Sequence, residues 1–79
     1  MAAQHNSRIS QALQGYRELS EVLPHMTEQE LREVLDIESA SVRRPVMIER
    51  MVQRLVRLVE IRTRQELERR YAPWLVNSQ

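Results

Sequence analysis

The sequence predicts an all-α fold: a three-helix bundle, or a helical hairpin carrying a long C-terminal helix, in either case dimeric. Three observations lead there. Apolar residues recur at spacings of three and four along three stretches of the chain, the signature of helices with one buried face. The stretches are punctuated by helix signals, Pro24, the run Thr27-Glu28-Gln29-Glu30, the small polar link Ser39-Ala40-Ser41 and Pro45. The chain has only 79 residues and no Cys, so no disulfide supports it. A domain of this size buries only about 60% of its unfolded surface, and a second chain is the natural remaining support.

The first helix is expected over about residues 8–22, where Ile9, Ala12, Leu13, Tyr16, Leu19 and Leu23 share one face. Asn6 or Ser7 can cap its start, and Pro24 ends it. Gly15, the only glycine, costs about 1 kcal/mol against alanine inside a helix. It is either a tolerated surface position or a point of close approach by another helix. The second helix is expected over about residues 28–37. Thr27 and Glu30 form a capping box, Met26 and Leu31 occupy the positions of a hydrophobic staple, and Leu31, Val34 and Leu35 form a narrow apolar stripe.

The third helix is expected over about residues 45–71, with Pro45 in its first turn. Met47, Ile48, Met51, Val52, Leu55, Val56, Leu58 and Val59 fill about half of its circumference. So wide an arc implies contact with both other helices or with a second chain. Past Ile61 the same arc would carry Arg62, Glu66, Arg69 and Arg70, while a new apolar set, Leu67, Tyr71, Trp74 and Leu75, is rotated by roughly 100°. Either the helix breaks near residues 62–65, or a straight helix projects past the core and changes neighbours. Ala72-Pro73 is expected to end it. The whole chain, residues 1–79, reads as a single domain with flexible ends at 1–6 and 76–79.

The net charge of +1 conceals a division. Residues 1–40 hold three Arg against seven acids, and residues 41–79 hold nine Arg against four acids. Arg50, Arg54, Arg57 and Arg64 fall on one helical stripe spanning about 21 Å. Arg forks suit carboxylates and phosphates. The stripe is therefore either a solvated face paired with Glu49, Glu60 and Glu68, or a docking surface, with an acidic protein preferred over nucleic acid. Tyr71 and Trp74 beside Arg69 and Arg70 have the composition of an interface anchor, although Trp74 also suits a core cap.

Residues 26–44 resemble a bacterial helix-turn-helix motif, with Leu31, Leu35, Ile37 and Val42 on the family's apolar positions. The resemblance implies a DNA-reading helix carrying Ser39, Ser41, Arg43 and Arg44. Arg32 stands where the family carries a small residue, Asp36 at the turn glycine, and Pro45 inside the second helix.

Other function classes lack their residues. There is no Gly-rich phosphate loop, no nucleophile–base pair, no paired catalytic carboxylates, and little room for a pocket of about 300 Å³. His5 and His25 are twenty residues apart and read as solvated, so no metal or cofactor is expected. No apolar run approaches the ~20 residues of a membrane helix, and the N-terminus lacks a secretory pattern. The sequence thus points to a soluble, cytoplasmic, non-enzymatic regulatory protein, an inhibitor or adaptor. It would act as a homodimer on a protein partner, with a nucleic-acid-binding regulator as the alternative.

Overall fold

Four helices and one 3-10 turn make up the described residues of the computed structural model, which are 2–77 for the backbone and 7–74 for side chains. The helices are α1 (Ala2–Gln14), α2 (Tyr16–Val22), α3 (Glu28–Ala40) and α4 (Pro45–Asn77), with the 3-10 turn at Leu23–His25 between α2 and α3. The chain is all-α. The expected N-terminal helix is in fact two. Gly15 is fully extended (φ 173°, ψ 178°), and its carbonyl accepts the Leu19 amide at 2.9 Å to begin α2. That one extended residue resets the helical phase. Ile9 and Ala12 from α1 and Leu19 and Val22 from α2 all reach the core, whereas Tyr16, expected on the same face, is 46% exposed.

The start of α1 also differs from expectation. The backbone is already helical at Ala2, so Asn6 and Ser7 lie inside α1 and cannot be its cap. Of the ends expected to be flexible, residues 1 and 78–79 lie outside the described residues, as do the side chains of 2–6 and 75–77, including those of His5 and Leu75. Pro24 ends α2 through the 3-10 turn, after which Met26 is extended and Thr27 caps α3. The capping box forms as expected: the Glu30 amide donates to Thr27 Oγ1 at 3.1 Å, and the Thr27 amide donates to Glu30 Oε1 at 3.0 Å. Met26 and Leu31, the staple pair, are both buried.

α1 packs on α3, α3 on α4, and α2 on α4. The core comprises Ile9, Ala12, Leu19, Val22, Leu23, Met26, Leu31, Val34, Met47 and Met51, with Leu13, Leu35, Leu55 and Leu58 packed against it. The α4 contribution therefore stops near Leu58, yet α4 runs for 33 residues. At 1.5 Å per residue it is about 50 Å long, which is the long dimension of the 50 × 30 × 21 Å molecule. Its radius of gyration, 16.0 Å, exceeds the ~12 Å of a compact chain of this length.

α4 neither breaks at 62–65 nor stops at Ala72-Pro73. The stretch before Pro73 is rich in good helix formers and carries the i,i+4 ion pairs Arg62–Glu66 and Arg64–Glu68. Pro73 stands near the C-terminal end of α4, where its missing N–H removes one hydrogen bond from a helix that is otherwise intact.

Candidate protein interface on the projecting helix

Two ion pairs fix where α4 leaves the body. Arg44, just before α4, grips Glu38 in the last turns of α3. Its Nε donates to Glu38 Oε2 at 2.8 Å, its Nη2 to Oε1 at 2.9 Å, and its backbone amide to Oε2 at 2.8 Å. The same Nη2 donates to the Leu13 carbonyl of α1 at 2.7 Å. Glu38 is fully buried, and Arg44 is about one-third exposed. The hydrogen bonds from Arg44 hold the Glu38 carboxyl below its ordinary value, outweighing the burial that pushes it up. The reciprocal effect raises Arg44 further. Downstream, Arg62 Nε donates to Glu28 Oε2 at 2.7 Å at the start of α3, and Arg62 Nη1 to Glu66 Oε1 at 2.9 Å. A third bridge, from Arg8 Nη1 to Glu30 Oε1 at 3.2 Å, joins α1 to α3.

Beyond Ile61 every described side chain of α4, through Trp74, is exposed. The apolar arc of α4 thus splits in two. Met47, Met51, Leu55 and Leu58 face the body, while Val52 (42%), Val56 (53%), Leu67 (49%), Tyr71 (47%) and Trp74 (66%) face outward. On a helix advancing 100° per residue, the outward set centres about 150° from the core line. Its spacing explains why it stays together. Val52, Thr63 and Trp74 are separated by eleven residues each, as are Val56 and Leu67. An eleven-residue repeat runs at about 3.67 residues per turn, close enough to a straight helix that the seam does not wander. Val59, half-buried, lies on its inner edge. The Tyr71 and Trp74 rings pack with centroids 6.1 Å apart, and the Arg70 guanidinium lies 6.0 Å from the Tyr71 ring.

Charge is graded along this seam. By helical position its N-terminal half is edged by Glu49 and Glu60, its C-terminal half by Arg64 and Arg70. Glu60 lies 3.8 Å from Arg57, and Arg64 Nε donates to Glu68 at 3.2 Å; all four side chains are exposed.

Tyr71 and Trp74 are both exposed, so Trp74 does not cap the core. The expected Arg stripe is less uniform. Arg50, Arg57 and Arg64 are exposed, but Arg54 is half-buried, with Nη2 3.5 Å from the Pro24 carbonyl and Nε buried without a hydrogen-bond partner. The residues assigned to a DNA-reading helix do not share one. Ser39 lies in the last turn of α3, its Oγ donating to the Asp36 carbonyl at 3.1 Å. Ser41, Arg43 and Arg44 occupy the connection before α4. Pro45, suited to a first turn, starts α4 four residues beyond Ser41, which leaves these residues off any helix. Arg44 is committed to Glu38, and Arg43 holds φ 61° with its Nε on the Ser39 carbonyl at 3.0 Å. Of the residues on the motif's apolar positions, Leu31 is buried, Leu35 packs against the core, and Ile37 (43%) and Val42 (65%) are exposed.

The concave space on this face is open to solvent rather than an enclosed pocket. An open groove of about 1300 Å³ lies between Arg32 of α3 and the α4 residues Leu55 to Tyr71. Among the described residues no group of three or more His, Cys, Asp or Glu is placed to hold a metal ion. No helix among them is long and apolar enough to cross a membrane. No protein-family model, no curated protein and no solved structure matches the chain.

Proposed function

We propose that this chain is a small, non-enzymatic regulatory or adaptor protein that works by binding another protein through the outer face of α4. The observation that carries the reading is the exposed row Leu67, Tyr71 and Trp74 on a helix that has left its own core. Contiguous apolar surface rimmed by charge marks an interaction site, and Trp, Tyr and Arg are the residues enriched at interface hot spots. The rim is basic at the tip, with Arg64 and Arg70, which suits a partner with an acidic edge. A helical bundle holding out one long helix is a suitable scaffold, because the Glu38–Arg44 and Arg62–Glu28 pairs fix the direction of α4.

The test is affinity capture from the native host with and without nuclease, using the wild-type chain and Trp74→Ala. The reading expects a protein partner that survives nuclease and is lost with Trp74→Ala. Loss of every partner on nuclease treatment would favour the nucleic-acid alternative. That alternative now rests on Arg43, Arg50, Arg57 and Arg64, since Arg44 is occupied by Glu38.

A further inference from the structure

We infer that the outer seam of α4 pairs with the same seam of a second copy, the two helices running antiparallel. The inference rests on the proposed protein-binding role of that face and names its first partner. Three observations select a second copy in this orientation. The first is area. The chain exposes 5999 Å², whereas a compact monomer of 9.4 kDa exposes ~5000 Å². The surplus of ~1000 Å² is what one side of a standard interface, ~800 Å², removes from water.

The second observation is shape. The eleven-residue repeat from Val52 to Trp74 keeps one straight apolar line on α4 for about 33 Å. A line that is apolar at both ends can cover itself. Turned end for end about Thr63, it sets Trp74 of one chain against Val52 of the other and Leu67 against Val59. The four-helix bodies then sit at opposite ends, and each arm covers the outward valines at the root of its partner's arm.

The third observation is charge. Glu49 and Glu60 edge the N-terminal half of the seam, Arg64 and Arg70 the C-terminal half. In this register Glu60 of one chain lies two residues, about 3 Å along the axis, from Arg64 of the other, whereas parallel pairing sets Glu60 level with Glu60 and Arg64 level with Arg64. The helix dipoles add to the same preference.

The chain has no Cys, so introduced thiols report without background. The experiment combines light scattering at micromolar concentration with oxidation of Thr63→Cys and Val52→Cys in the full chain. A dimer is expected in which Thr63→Cys cross-links to itself and Val52→Cys does not, because two Val52 positions lie about 30 Å apart. Leu67→Arg, at an exposed site, should keep its helical signal and weaken the dimer by about 30-fold or more. A monomer, a dimer untouched by Leu67→Arg, or a dimer in which both thiols cross-link overturns the inference. The broader reading is judged separately: a monomer that still holds a Trp74-dependent partner keeps the protein-binding role and loses only self-pairing.

Discussion

The two halves of α4 belong to one uninterrupted helix but live under different physics. From Pro45 to Ile61 the helix is held by tertiary burial, with Met51 fully enclosed and Leu55 and Leu58 against the core. From Arg62 to Trp74 it has no core beneath it; apart from the Arg62–Glu28 pair at its root, it is held by good helix formers and i,i+4 ion pairs. Such pairs are worth about 0.3–0.5 kcal/mol each, and an isolated helix of this length is marginal in water. The difference teaches that the distal half depends on being the continuation of a packed helix, and that its apolar residues Leu67, Tyr71 and Trp74 lie outside the core of their own chain.

Leu31→Ala should break the packed region most severely. Leu31 is fully buried, so the loss should be about 3–4 kcal/mol by chemical denaturation. Leu67→Ala is the matched control on the arm and should cost the monomer less than about 0.5 kcal/mol. A comparable loss at both sites would erase the distinction.

Next in size is the clamp at the root of α4. Glu38→Ala strands Arg44 and should cost about 3 kcal/mol, at the low end for a buried pair because part of Arg44 stays in water. The pair also gives a pH signature. The folded carboxyl of Glu38 lies below its ordinary value of 4.5. Its contribution is therefore fully present above that value and fades as the pH falls through the lowered folded value. Stability of the wild type should drop on this acid limb, and Glu38→Gln should show a shallower limb in parallel titrations. Identical limbs would show that the pair is not coupled to folding.

A smaller, opposite effect is expected at Arg43, the one described non-glycine residue with positive φ. Arg43→Gly relieves the left-handed conformation and should raise the melting temperature, by an amount equivalent to at most about 1 kcal/mol. It should leave partner capture intact if the arm is the interface. Gly15→Ala should matter least, within about 1 kcal/mol in either direction. The extended backbone suits any residue, and the added methyl meets only the movable Glu18 carboxylate, at 2.9 Å.

Local signals with a strict geometry were readable from the chain. Thr27 and Glu30 announced the start of α3, and Pro45 the start of α4, because a cap or a missing N–H acts within one turn. Leu31, Val34, Met47 and Met51 were readable as core from spacing alone. Gly15 was not readable as a break, since the apolar spacing passes through it without interruption and only packing separates a continuous helix from two. Nothing in the sequence around Glu38 signals that it is buried. Its partner is six residues away across a turn, a relation no helical period encodes. Val52 and Val56 merged with the buried arc because a wide apolar face looks the same whether one side is covered or two. Pro73 was overvalued as a terminator near a helix end, where it removes a single hydrogen bond.

Trp74 is the only tryptophan and is 66% exposed in the single chain, so its fluorescence tests directly whether the outer face of α4 is covered by another copy. Emission should move to shorter wavelength as protein concentration rises, and Leu67→Arg should remove the shift. Emission characteristic of solvated tryptophan at every concentration, the same in both proteins, would contradict the account.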